Sequence, residues 1–545
     1  MMTSMSLLQQ LRMQYQPILP RALKDLNKLI AVRGKVAASL NSGLAPYFPK
    51  TMGQPALSFS AGTNIQHAPK RVGVVLSGGQ AAGGHNVIAG LYDALKKLNA
   101  ESQLFGFLDG PKGIIENKQI EITGAKLERY RNQGGFDLIG SGRTKIETAE
   151  QFAAAETAMR KLNLDGLVII GGDDSNTNAA LLAEYFLNKG CKTAVVGAPK
   201  TIDADLKNED IEISFGFDSA TKTYSEIIGN ISRDTLSAKK YYYFIKLMGR
   251  SASHITLECA LQTHPNLALI GEEVAFQRKT LISVIQDICD LVCARAAQGK
   301  DYGVILIPEG IIEFIPEFRL LIEELNYLLA SNPPHSNMME LAAFCEERLS
   351  SDALSCFQAI PRDIQAQLLI DRDPHGNVQV SKIDTERLFL EMTRNELTKR
   401  KKAGAYMGKF MAQAHFCGYE GRSCLPSNFD AQYCYALGHV AALLVNAGAT
   451  GYMSCVRNLI SPVEEWQISG SNLAGMMTLE KRHGKEKPVI AKALVDLKGP
   501  SFALFSAQRQ QWALGDDYCC PGPIQFFGPA ALTEAIPITL IGFVA

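Results

Sequence analysis

A chain of 545 residues with 46% hydrophobic and 20% charged residues carries enough apolar material for several buried cores, which excludes a disordered or collagen-like polypeptide. Its 55 Lys plus Arg balance its 55 Asp plus Glu, so the formal charge of +0 gives no global reason to expect a nucleic acid or a membrane surface as partner. The 12 cysteines are dilute and match no zinc or disulfide framework, and no apolar run approaches the roughly 18 residues that span a bilayer, so a cytoplasmic protein is expected.

Residues 1–70 read as an N-terminal helical extension, on the helical spacing of Leu23, Leu26 and Ile30, followed by a Pro- and Gly-containing stretch from Gly43 to Pro69. From Arg71 the texture changes to short β-branched runs, each followed by a polar or Gly-rich loop and an amphipathic segment. The runs are RVGVVL (71–76), DGLVIIGG (165–172), KTAVVGA (192–198), YYYFIKLMG (241–249), NLALIGEE (266–273) and YGVILIPEG (302–310). Continuous apolar strands separated by helices predict an α/β fold of parallel sheets covered on both faces. The segment 313–402, rich in Leu, Glu, Arg and Lys, reads as a helical insertion, after which ALGHVAALLVNAGATGYMSC resumes the helix-then-strand texture.

In such sheets ligands bind beyond the carboxyl ends of the strands, so three loops matter. After 71–76 comes SGGQAAGGHN, whose Gly78, Gly79, Gly83 and Gly84 let backbone amides approach an anion, although tight turns alone would also explain them. The pattern is neither GxxxxGK[ST] nor GxGxxG, which disfavours a P-loop ATPase and a dinucleotide enzyme. Strand 166–172 runs into Asp173, Asp174 and Ser175. Paired carboxylates there suit a Mg²⁺ that carries substrate phosphates, and helix capping is the plainer alternative. The third loop, Pro199-Lys200-Thr201-Ile202-Asp203-Ala204-Asp205, sets a carboxylate near a lysine, the minimum for phosphoryl transfer once a metal is present, and a surface turn with one solvated ion pair is the plainer alternative.

Taken together, GGQAAGGHN, GSGRTKIET, GGDDS, PKTIDAD, MGRSASHITLECA, PEG and GYEGR, in that order, resemble the phosphofructokinase family, and within it the long, pyrophosphate-dependent 6-phosphofructokinases. The resemblance covers residues 71 to 310 and reappears at 404 to 456. It implies two Rossmann-like domains: 71–235 for the donor, with a possible chain return from the C-terminal part, and 236–312 with 403–545 for the sugar phosphate. Asp203 would be the base for the C1 hydroxyl of fructose 6-phosphate, with Thr201 and Ile202 lining that site. Asp173 would hold Mg²⁺. Gly78, Gly79, Arg143 and Lys145 would bind pyrophosphate. Met248, Gly249, Arg250, Glu309, Tyr419 and Arg422 would bind the sugar phosphate, with Lys240 and Tyr241 reaching a neighbouring subunit of a homodimer or higher oligomer.

Donor choice would rest on Asp174 and Lys200, since ATP-using relatives resemble GGDGS and have Gly at both places. A carboxylate about 4 Å from a phosphate charge repels it by about 1 kcal/mol in water and about 4 kcal/mol at an effective dielectric of 20. The corresponding penalty against ATP is between about fivefold and nearly a thousandfold. Lys200 would stabilise charge on the transferred oxygens. The implied reaction is Mg²⁺-dependent, reversible phosphoryl transfer from pyrophosphate to fructose 6-phosphate. The alternatives are an ATP-dependent 6-phosphofructokinase and a non-catalytic sugar-phosphate-sensing subunit. Ala82 stands where many relatives have Pro. Tyr241 to Tyr243 read as core before a nucleobase platform, His254 and His264 as structural, and KRKK at 399–402 as a solvated helix end.

Overall fold

The computed structural model describes residues 7–34, 36, 42–330, 338–372, 377–482, 485–522, 529–534 and 536–543. The remaining parts of the expected extension and insertion, 1–6, 35, 37–41, 331–337 and 373–376, lie outside the described residues. The chain forms two compact units: Met1–Ala220 with Tyr419–Ala493 and Ile524–Ala545, and Thr221–Gly418 with Leu494–Pro523. The stretch 403–545, expected in the sugar-phosphate domain, is therefore divided between the two. No described helix is long and apolar enough to cross a membrane.

The strands in chain order are β1 (Leu29–Arg33), β2 (Leu57–Ala61), β3 (Arg71–Leu76), β4 (Gln103–Phe107), β5 (Gln119–Ile122), β6 (Gly166–Gly171), β7 (Ala194–Pro199) and β8 (Tyr242–Leu247). They continue as β9 (Leu267–Ala268), β10 (Gly303–Pro308), β11 (Ala412–Cys417), β12 (Tyr452–Arg457), β13 (Gln467–Asn472), β14 (Met477–Arg482) and β15 (Lys485–Ile490).

The first unit is built on a nine-stranded sheet of order β1-β2-β13-β12-β7-β6-β3-β4-β5. Its centre, β12-β7-β6-β3-β4, is parallel, and β5, β13, β2 and β1 join antiparallel. The central strands are apolar throughout because both faces are covered: Val75, Leu167, Ile169, Val195 and Met453 share one buried core. From β3 the chain runs outward to β4 and β5, then returns to the other side of β3 as β6. This reversal opens a crevice beyond the carboxyl ends of β3 and β6. Helix Gly84–Leu98, which follows β3, packs on helix Asn428–Asn446 through glycines. A Cβ on Gly438 would stand 2.2 Å from the Val87 carbonyl oxygen, and one on Gly90 2.2 Å from that of Tyr435.

The second unit holds the parallel sheet β11-β8-β10-β9. Helices from 313–402 join its core, where Phe318, Phe357, Leu388 and Phe389 are buried in one cluster with Tyr242, Phe244 and Ile305.

Three local readings are corrected. In the N-terminal extension Leu23 and Leu26 lie in short 3₁₀ turns and Ile30 in β1, because pairing with β2 supplies hydrogen bonds that a lone helix there would have to provide itself. The expected strand 266–273 keeps only Leu267–Ala268, and Gly271–Phe276 is a helix whose first turn takes Glu272 and Glu273. Of the three tyrosines only Tyr242 is fully buried, while the Tyr243 hydroxyl donates to Asp234 at 2.6 Å.

Candidate active site

The crevice of the first unit is lined by the expected loops. Ser175 donates to Ser77 at 2.8 Å, tying the loop after β6 to the loop after β3, and Gly78 N–H donates to the Gly142 carbonyl at 2.9 Å, which brings the GSGRTK segment alongside. Gly78 has φ +88, a region costly for residues with a Cβ. Cationic side chains also come close. A Cβ on Gly78 would stand 3.2 Å from Lys200 Nζ, and one on Gly79 3.2 Å from Arg422 Nη1 and 3.6 Å from Arg143 Nη2. Three cations thus face the glycine loop.

Neither aspartate after β6 caps a helix. The cap is Gly172, without a side-chain bond, and Asp173 and Asp174 form the first turn of helix Asp173–Asn188, where the helix dipole favours carboxylates. Asp173 Oδ2 lies 3.7 Å from Lys492 Nζ. Asp174 is 49% exposed and pairs with Lys145 at 3.2 Å, so the repulsion expected of it towards a nucleotide is partly offset by its own partner. Arg143 and Lys145, expected together on the donor, therefore part company: one meets Gly79 and the other Asp174.

The loop after β7 is the most strongly perturbed. Lys200 is buried and its ammonium is pushed down to about 8, first by burial and then by Arg422 and Arg143, against the pull of Asp203 and Asp173. Ala204, with φ +54, makes a left-handed step between two acids. One of them, Asp205, is 5% exposed and pushed up to about 7 by burial and by Asp203 and Asp173, with Lys492 and Thr201 acting against this. The other, Asp203, has its Oδ1 buried without a hydrogen bond and 4.0 Å from Arg422 Nη2. Its N–H donates to the Thr201 hydroxyl at 3.1 Å, and Ile202 is fully buried. Asp173, Asp203 and Lys200 thus share one neighbourhood.

Arg422, expected to bind the sugar phosphate, lies beside Asp203 of the substrate loop and donates to the Gln80 carbonyl at 3.3 Å. Tyr419, three residues earlier, is 69% exposed. Four other expected residues gather on the second unit, at the carboxyl ends of β8 and β10. Buried Glu309 accepts from Gly249 N–H at 3.2 Å, Met248 N–H donates to Cys417 at 3.2 Å, and Arg250 is exposed. Lys240 and Tyr241, stacked at 5.0 Å, precede β8, so the six residues of that strand, about 20 Å, separate them from Met248–Arg250. Two neighbours escaped sequence reasoning. Asp205 was signalled by the second acid of Asp-Ala-Asp, whereas Lys492 sits in no motif.

The chain matches the phosphofructokinase family model over residues 71–357. It is 52% identical, over 98% of its own length and 97% of the relative's, to pyrophosphate--fructose 6-phosphate 1-phosphotransferase of Treponema pallidum. It is 53% identical to the Arabidopsis thaliana subunit beta 1 of that name, over 94% and 90% of the two chains. A crystal structure of a pyrophosphate-dependent phosphofructokinase from Nitrosospira multiformis shares the fold, with a TM-score of 0.55 at 15% identity over 83% of this chain and 93% of that one. The chain belongs to the phosphofructokinase family.

Proposed function

We propose that the chain transfers a phosphoryl group reversibly from pyrophosphate to the C1 hydroxyl of fructose 6-phosphate, giving fructose 1,6-bisphosphate and phosphate. One observation carries this reading furthest: a buried lysine against a glycine loop, in a neighbourhood shared with Asp173, Asp203 and Asp205, in a chain about half identical to enzymes named for that reaction. The reaction belongs to glycolysis, and a cytoplasmic location suits it.

The residues fit a divalent cation. Asp173, buried Asp205 and Asp203, whose Oδ1 is buried without a hydrogen bond, bring carboxylate oxygens into the neighbourhood of Lys200 and the glycine loop. Mg²⁺ takes one or two protein carboxylates and completes its shell with water and phosphate. Asp173 would hold the ion, with Asp205 beside it. When bound, Mg²⁺ neutralises donor phosphate charge.

The chain's own residues do the rest. Asp203 accepts the proton as the C1 oxygen bonds to the terminal phosphorus, and the bond to the bridging oxygen breaks to release phosphate. Lys200 neutralises the transferred oxygens, while the amides of Gly78 and Gly79, with Arg143 and Arg422, hold the inorganic donor. Lys145 and Asp174 form the wall at the donor end. Thr201 and Ile202 shape the loop that carries the base. Met248, Gly249, Arg250 and Glu309 bind the hexose phosphate, and Tyr419 adds an exposed contact. Lys240 and Tyr241 serve a neighbouring subunit of a homodimer, a reading supported by their distance along β8 from Met248–Arg250.

Purified protein assayed separately with pyrophosphate and with ATP tests the donor. Turnover with ATP alone would replace this reading by a nucleotide-dependent kinase, and sugar-phosphate binding without turnover by a sensor. Mixed Asp203→Ser and Lys240→Ala proteins should regain activity if sites are shared between subunits.

A further inference from the structure

Outside the nine-stranded sheet, β14 and β15 form an antiparallel hairpin with register Met477↔Ile490 to Arg482↔Lys485. The chain leaving it is fastened on both sides of Lys492. Ile490 N–H donates to the Thr177 hydroxyl at 3.1 Å, on the helix that begins with Asp173. Ala491 N–H donates to the Met476 carbonyl at 3.2 Å, and Ala493 N–H to the Asp205 carbonyl at 2.8 Å. Two of these three bonds tie the main chain beside Lys492 to the segments that bear Asp173 and Asp205. Its Nζ stands 3.7 Å from Asp173 Oδ2 with the side chain 29% exposed. A part-exposed pair at that separation contributes little to folding, so the pair itself does little to explain a cation at this place.

We infer that Lys492 is a further donor-binding residue, whose ammonium engages a phosphate of the inorganic donor beside Asp173. The inference rests on the pyrophosphate reading above. The chemistry is that of a phosphate anchor. Lys145 is paired with Asp174, and Lys200, Arg143 and Arg422 face the glycine loop, while Lys492 forms an ion pair with Asp173. A donor bound beside Asp173 would bring a phosphate oxygen to Lys492, whose ammonium offers it a compact point charge.

The test uses the full-length protein and methylenediphosphonate, a pyrophosphate analogue that cannot be cleaved, titrated calorimetrically with and without Mg²⁺. Lys492→Met should bind the analogue about tenfold more weakly than the parent and raise KM for pyrophosphate in parallel, with KM for fructose 6-phosphate within twofold. Lys492→Arg should recover to within threefold, and Lys492→Gln serves if the Met variant does not fold. Analogue affinity weakened less than threefold in the neutral variant overturns the inference while leaving the donor reading intact. So does a loss that Arg fails to rescue and that comes with a lower Tm, since it marks a structural role. A parent protein that neither binds the analogue nor turns over pyrophosphate removes the donor reading itself, and the inference with it.

Discussion

Replacing Lys200 by Met separates catalysis from folding. The ammonium is 4% exposed and lowered from 10.5 to about 8, chiefly by burial. At about 1.36 kcal/mol per pH unit, holding that charge inside the protein at neutral pH costs about 3 kcal/mol. The sign follows from proton binding. Below pH 8 both folded and unfolded chains are protonated and the cost is fully present; between about 8 and 10.5 the unfolded chain binds more protons, so stability rises with pH through that window. Lys200→Met should therefore leave Tm unchanged or raise it by a few degrees at pH 7, and should flatten its dependence on pH between 8 and 10. Activity should move the other way. A unit charge about 4 Å from the transferred oxygens, at an effective dielectric of 20, contributes about 4 kcal/mol, or about three orders of magnitude in kcat. The parent's kcat/KM for pyrophosphate should also fall as pH rises through about 8, a limb missing from the variant. Steady-state kinetics with pyrophosphate and scanning calorimetry on the same preparations decide. A loss of activity below tenfold, or one that comes with a falling Tm, refutes the reasoning.

Asp203→Ser should lower kcat at least a hundredfold while fructose 6-phosphate still binds by calorimetry, as expected of a lost base, typically worth about 10²–10⁴. Asp174→Gly should raise ATP turnover by less than about fivefold. The carboxylate is half exposed and paired with Lys145, so its repulsion falls in the range of about 1 kcal/mol or less; a larger gain in a coupled ATP assay would assign the barrier to bulk. Gly438→Ala drives a methyl to 2.2 Å from the Val87 carbonyl oxygen and should cost about 1–3 kcal/mol, read as a lower urea midpoint with KM values unchanged.

The central strands were legible because burial on both faces leaves a continuous apolar signature: 71–76, 166–171, 194–199, 242–247 and 303–308 lie where the runs indicated. The edges were not. β1 and β2 are partly exposed, and these strands and β13 pair with partners far off in sequence, as with Leu29 and Ala61 or Ser469 and Ser58, so no local pattern announces them. The same holds at the site. Gly78, Asp173, Lys200 and Asp203 follow strands directly and could be found by position, since strand ends are where a parallel sheet gathers its loops. That Arg422 would stand against Gly79, and Lys145 against Asp174, follows from where remote segments return.

By itself, then, the order of residues determined the sheet class, the family and the loops that carry chemistry, because each is written in contiguous stretches of ten or so residues. Only the tertiary structure decided which charges meet. Lys492, nearly three hundred residues from Lys200 in the chain, acts like it on Asp173, and burial moves Lys200 and Asp205 towards neutrality in opposite senses. Desolvation and proximity depend on the fully packed environment around each group, and that environment is assembled from segments which no local spacing connects.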